Sequence, residues 1–317
     1  MLSLEQIGAQ YPENLQPYKR SLLREYLQYK ILEIIFSSKY AGKLSFLGGT
    51  ALRIVYGNSR FSEDLDFDNV AITDAEFATL SQEVRKGLES QGLSVEVDVV
   101  GQAAYRCRVR FPNILFEHQL SAHVEEKVMI QIDSVVHGFE YESDKKILNR
   151  FDVFTEIFVT PLDVLLSQKF YAALNRSRAK GRDFFDIVFL LGMTQPNYAY
   201  LKSKLDINNA QTLRARLVDT MKDWDFKELG RDVQPFLFNP ADTKRVEMFL
   251  AYIQDPPYTR ESRLHFQQVQ ASPWLPWHCI QAAWCKKRLS LPWQRVSPLP
   301  YAGYLEEQLR QYPLQDH

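Results

Sequence analysis

The chain has 317 residues, enough to bury roughly three quarters of its unfolded surface in one or two domains. Its 45% hydrophobic and 24% charged content excludes a disordered chain, and 38 Lys+Arg against 39 Asp+Glu leave no global field for nucleic acid. No apolar run reaches membrane-spanning length, residues 1–30 lack a secretory pattern, and the odd cysteines Cys107, Cys279 and Cys285 form no Cys-x-x-Cys pair, so a cytoplasmic protein with no membrane contact is expected.

Residues 17–37 place Leu22, Leu23, Tyr26, Leu27, Ile31, Ile34 and Ile35 at helical spacing, which predicts a long amphipathic helix. Residues 43–47 read as a short strand running into Gly48-Gly49, and residues 50–56 as a short helix. In 64–68 the acids Asp64, Asp66 and Asp68 alternate with Leu65 and Phe67, the pattern of a strand with its carboxylates on one face. Thr73-Asp74 caps a further helix that Gly92 ends. Residues 93–100 and 103–111 alternate on either side of Gly101-Gln102, a predicted hairpin, and 128–133 form another strand.

This order predicts an α/β (α+β) fold, a small mixed sheet with helices on a face. The pattern changes near Phe154. From Leu162 onward it is helical, with Thr160 as N-cap and Pro161 in the first helical position. The expected division is a catalytic domain with N-terminal helices over 1–155 and a mainly helical C-terminal domain over 156–317. Beyond Asp255, Pro becomes frequent and Trp274, Trp277, Trp284 and Trp293 gather, a tail read as packing over helices. His278-Cys279 with Cys285 lacks the full ligand set of a structural zinc site.

The chemistry concentrates around Gly48-Gly49. Glycines let a phosphate approach the backbone, the helix that follows offers unpaired N–H groups, and the nearby carboxylates suit Mg²⁺. A nucleoside triphosphate with its metal is the simplest ligand that needs both devices. Metal-assisted nucleotidyl transfer calls for a third acid, and two strands compete: Asp133, beside Gln131, or Glu96 with Asp98. Periodicity alone leaves the choice open. Lys169 shares a helix with Leu165, Leu166, Phe170 and Ala173, while Arg176, Arg178, Lys180 and Arg182 form a local basic cluster. Arg106, Arg108 and Arg110 make a cationic stripe that could track an RNA backbone or pair with Glu96 and Asp98 across the hairpin.

Gly48-Gly49-Thr50-Ala51-Leu52 with Arg60-x-Ser62-x-Asp64-Leu65-Asp66-Phe67 resembles the first motif of polymerase β-like nucleotidyltransferases, and more narrowly the AbiEii/AbiGii toxin family. Lys169-x-x-Ala172, Arg176 and Arg182-Asp183-Phe184-x-Asp186-Ile187 resemble that family's second signature. The resemblance implies the toxin half of a type IV toxin–antitoxin or phage-defence system, with an antitoxin encoded next door. It favours Asp133 as the third acid, so that Asp64, Asp66 and Asp133 bind Mg²⁺, or Mn²⁺ in its place. Gly48, Gly49, Thr50, Arg60, Ser62, Lys169 and Arg182 then hold the NTP. Asp183 orients Lys169 or an arginine, and Asp186 caps a helix or forms an ion pair. The implied acceptor is RNA, with the tRNA 3′ end as the expected target and blocked translation as the result. Transfer to a protein hydroxyl is the rival reaction, and a catalytically idle binding module the rival from another class.

Overall fold

Alternating apolar residues assemble a seven-stranded sheet within residues 1–100 and 105–254, the part of the chain that this computed structural model describes. The strands are β1 (Leu44–Leu47), β2 (Leu65–Asn69), β3 (Glu96–Val100), β4 (Tyr105–Phe111), β5 (Val128–Val135), β6 (Asp144–Arg150) and β7 (Val153–Val159). They lie side by side as β3-β4-β5-β2-β1-β7-β6. β2 runs parallel to β5 and antiparallel to β1, and β7 runs parallel to β1. The remaining neighbours are antiparallel hairpins or meanders. A mixed α/β sheet is therefore present, two strands wider than the sequence pattern predicts.

The unpredicted pair is the β6–β7 hairpin. Its turn holds Phe151 at φ 58°, where Gly or Asn is the usual signal. Rings of Tyr11, Tyr26 and Tyr29 stand 6.0, 5.3 and 5.2 Å from the Phe151 ring and hold it there. Tertiary packing thus forces a conformation that costs a bulky residue about 1–3 kcal/mol.

The helices are α1 (Leu4–Gly8), α2 (Lys19–Ser37), α3 (Gly48–Tyr56), α4 (Asp74–Ser90), α5 (Ile114–Glu117) and then α6 (Leu162–Asn175) to α12 (Phe249–Gln254). α2 and α4 cover one face of the sheet, and α4 opens on a Thr73–Glu76 capping box. α6 departs from expectation at its start, where Pro161 takes the N-cap position. Thr160 is instead wholly buried, with its hydroxyl 3.1 Å from Ser45 Oγ and 2.9 Å from Tyr141 Oη. Among the described residues no helix is long and apolar enough to cross a membrane. The Gly101-Gln102 turn, the tryptophan-rich tail and the His278-Cys279-Cys285 group lie outside the described residues.

Two hydrophobic clusters meet at the Gly-Gly turn. One gathers Phe46, Phe67, Val109 and Ile130 of the sheet with α2 and α4. The other joins Leu165, Phe170, Phe184 and Phe249 of the later helices to Leu47 and Leu52, which flank the glycines. Burial of each such side chain contributes about 2 kcal/mol, so the turn is gripped from both sides. α7 (Gly181–Leu191) packs so closely on α10 (Phe226–Val233) that a Cβ at Gly181 would stand 1.9 Å from the Leu229 carbonyl oxygen. The Gly181 N–H also donates to Asp232 Oδ2 at 2.8 Å.

Candidate active site

Sheet register brings the acids together. Asp66 on β2 is the direct neighbour of Asp133 on β5, so both side chains leave the same face of the sheet. Asp64 immediately precedes β2. Burial, then the charges of Asp64 and Asp133, push the Asp66 carboxyl up to about 6, against the pull of Lys169 and Arg176. Asp64 is also raised, by burial first and then by Glu63 and Asp133. These carboxylates repel one another, which is the electrostatic condition of a site built for a cation.

Asp68, two positions along the same strand, is buried and already bonded. It is 4% exposed and accepts bonds from Tyr141 Oη at 2.9 Å and the His137 N–H at 3.1 Å. Asp133 accepts from Arg106 Nε and Gln131 Nε2, each at 2.7 Å. The competing acids are farther out. On β3, beyond β4, Asp98 pairs with Arg110 and Glu96 with Lys127 at 2.8 Å. The arginine stripe therefore divides: Arg110 pairs across the hairpin and Arg106 reaches the central acid. Among the described residues no three His, Cys, Asp or Glu side chains gather as a ready-made metal cage.

Gly48 has φ +78°, and a Cβ there would lie 2.4 Å from Asp66 Oδ2. Its hydrogen atoms leave the room that the carboxylate occupies. A Cβ on Gly49 would lie 2.3 Å from Arg60 Nη2 and 2.8 Å from Ser62 Oγ. The N-terminus of α3 carries no side-chain cap, so its first N–H groups are free to meet an anion. Thr50, expected as a phosphate ligand, has its hydroxyl committed to the Asp64 carbonyl and is fully buried. Gly48→Ala is expected to displace Asp66 and lower transfer about 100-fold, while the strained backbone costs roughly 1–2 kcal/mol. Parallel rate and melting measurements separate the two effects.

Below this turn lies a buried ion network. Arg60 is 2% exposed and grips Asp186 with two parallel bonds, Nε to Oδ1 and Nη2 to Oδ2, each 2.7 Å. Asn58 Nδ2 donates to the same Asp186 at 2.8 Å. The Arg60 fork is bonded to Asp186 beneath Gly49, and Arg60 also lines the recess that opens at Asp66. Lys169 Nζ stands 2.8 Å from Asp186 Oδ2 and 3.1 Å from Asp183 Oδ1, leaving a third donor for a ligand. Burial alone would pull the Lys169 ammonium down, but Asp186 and Asp183 outweigh it and hold it raised. Asp183 Oδ2 lies 3.3 Å from Arg176 Nε without hydrogen-bond alignment. Arg182 stacks its guanidinium 4.8 Å from the Phe236 ring.

Two recesses open at Asp66 and share Asp66, Lys169, Arg176 and Asp183. The first, of about 170 Å³, adds Gly49, Arg60, Ser62, Glu63, Asp64, Lys180 and Arg182, so arginines and lysines face carboxylates across it. The second, of about 210 Å³, adds Gly48, Asp133, His137 and Gln168 with apolar Leu47, Val135 and Leu165. His137 and Gln168 carry no signal in the sequence, because only the long-range packing brings them to the acids.

A Gly-Gly turn, an acid-bearing central strand in a mixed sheet and a buried lysine on a following helix define a nucleotidyltransferase fold. The chain belongs to the family described as nucleotidyl transferase AbiEii toxin of a type IV toxin–antitoxin system, whose model matches residues 30–261. The family implies an NTP substrate and a cognate antitoxin. In fold the chain is similar to MenT4, a nucleotidyltransferase toxin from Mycobacterium tuberculosis H37Rv, at 14% identity, 83% coverage of this chain, 92% of that one and a TM-score of 0.52. It also matches JHP933 from Helicobacter pylori at 18% identity, 80% coverage of this chain, 98% of that one and a TM-score of 0.48. Comparison with curated proteins finds no match.

Proposed function

We propose that this toxin transfers a nucleoside monophosphate from an NTP to an RNA acceptor, the tRNA 3′ end, and so blocks translation in the cytoplasm. The observation that carries the reading is the meeting of two recesses at Asp66, one rich in arginine and lysine beside Asp64, the other holding Asp133. Gly48, Gly49, Ser62, Lys169 and Arg182 hold the triphosphate, with Thr50 and Arg60 fixing the turn from beneath. Asp64 and Asp66 would hold Mg²⁺, and Asp133 would complete the carboxylate set. Two carboxylates plus substrate phosphates are a sufficient oxygen shell for this ion, which supplies charge neutralisation at the reacting phosphate. The acceptor oxygen bonds to the α-phosphorus as the bond to pyrophosphate breaks; the hydroxyl proton passes to Asp133, and pyrophosphate leaves with the bonding electrons beside Lys169 and Arg182. Asp183 orients Lys169. We assign the sheet with its N-terminal helices as the catalytic part, and the helices from α6 to α12 as the helical part, of one compact unit.

RNA is favoured over a protein hydroxyl by Arg106 and Arg108, which continue the open sheet face next to Asp133 and Gln131. Incubation with each labelled NTP, Mg²⁺, total tRNA and a protein lysate tests the reading. Label in tRNA is the expected result; label in protein, in the antitoxin or in the toxin itself would replace the acceptor. No label anywhere would reduce the chain to a binding module.

A further inference from the structure

We infer that the recess on the Asp133 side is the acceptor subsite, and that His137 and Gln168 are the side chains that hold the terminal nucleotide of a single-stranded RNA 3′ end. The inference rests on the transfer reading above. In phosphoryl transfer the attacking and leaving oxygens lie roughly in line through phosphorus. With pyrophosphate leaving among Lys180, Arg182 and Lys169, the attacking hydroxyl comes from the recess that holds Asp133.

That recess is equipped for a polar guest. Gln168 Nε2 is buried and has no hydrogen-bond partner among the described residues. Left so, it carries the desolvation cost of an unmet donor, about 1–3 kcal/mol, which a bound ligand would remove. The His137 backbone N–H donates to Asp68 Oδ1 at 3.1 Å, and the ring Nδ1 lies 3.2 Å from the same oxygen without hydrogen-bond alignment. Asp68 is held in turn by Tyr141, whose hydroxyl meets the buried Thr160 at 2.9 Å. The backbone at His137 is thereby held, while 27% of its side chain stays accessible at the recess. Leu47, Val135 and Leu165 supply apolar walls for a base.

A phosphodiester chain also has a path to this place. Arg106 and Arg108 lie opposite Asp133 and Gln131 on the neighbouring strand. Arg108 makes no ion pair among the described residues, so its charge is available for a phosphate.

His137→Gln and Gln168→Ala, each checked for an unchanged melting temperature, test the assignment in the full chain. Transfer of labelled NTP to tRNA is followed with either substrate varied, and a short fluorescent RNA with a free 3′ terminus is titrated by anisotropy. Loss of one hydrogen bond is worth about tenfold in affinity. The expected result is a KM for RNA, and an RNA Kd, raised about tenfold in each variant, with the KM for NTP unchanged. A rise in the KM for NTP alone would place the NTP's own nucleoside in the recess and overturn the inference while transfer stands. Unchanged RNA constants, or wild-type label found in protein, would overturn it as well. Wild-type protein that binds the RNA yet labels nothing would instead break the transfer reading, with the two variants' anisotropy still deciding the subsite.

Discussion

Asp66→Asn is expected to abolish transfer, by about a thousandfold or more, while making the metal-free protein harder to unfold. Both outcomes come from one carboxylate. Its folded pKa stands at about 6 against the ordinary 3.8, with burial the largest cause and Asp64 the next. A raised carboxyl favours its protonated form in the fold, so above about pH 6 the charged group destabilises the native state by roughly 3 kcal/mol. Acidification from 7 through 6 toward 4 should therefore stabilise the wild type at this position, and the asparagine variant should lose that dependence. Melting curves at pH 7.5 and pH 5 without divalent ions check it; a rise of about 3 °C or more for the variant at the higher pH is expected. Added Mg²⁺ should stabilise the wild type and leave the variant nearly unmoved. An active variant, or one that melts below wild type at pH 7.5 without metal, would remove Asp66 from the centre of the site.

Asp186→Ala should have the largest effect on folding. Its carboxylate lies at 0% exposure between Arg60 and Lys169, with Asn58 as a further donor. Deleting it strands a buried guanidinium, a loss of about 3–5 kcal/mol. Such a loss consumes much of the stability of an ordinary domain. The pH behaviour is opposite to that of Asp66. Burial pushes the Asp186 carboxyl up, but Arg60 and Lys169 outweigh it and hold it at about 2. Its stabilisation, about 2 kcal/mol, is fully present above pH 4 and lost as pH falls through 2. Asp186→Asn, which keeps the shape, should cost less than alanine, and removing Arg60 together with Asp186 should cost less than the two single losses summed. Denaturant titration of the four proteins measures the coupling. Strict additivity would show that the pair does not hold the site together.

Local pattern explains what was readable in the sequence. The Gly-Gly turn, the alternating acids and the lysine helix each announce themselves within a few residues, and the capping box before α4 is equally local. Asp133 was within reach because its strand alternates, whereas its choice over Asp98 depends on β5 lying beside β2, a register set by distant residues. Arg60 and Thr50 show the limit from the other side. Both belong to the motif, yet a residue in a motif can serve by bracing the turn from below, and burial alone tells the two roles apart. The β6–β7 hairpin stayed hidden because aromatic packing from the first helices, and no glycine, makes its turn.

The contact between Gly181 and the Leu229 carbonyl has a bearing on how the cell survives making this protein. α7 carries Asp183 and Asp186, and it packs on α6 before it and on α10, some fifty positions downstream. A nascent chain emerging at about 5–20 residues per second spends several seconds with the Gly-Gly turn and its acids already made but the lysine partners unplaced. Chains that end before α10 are therefore expected to lack transfer activity, which an assay of a protein truncated after α7 checks.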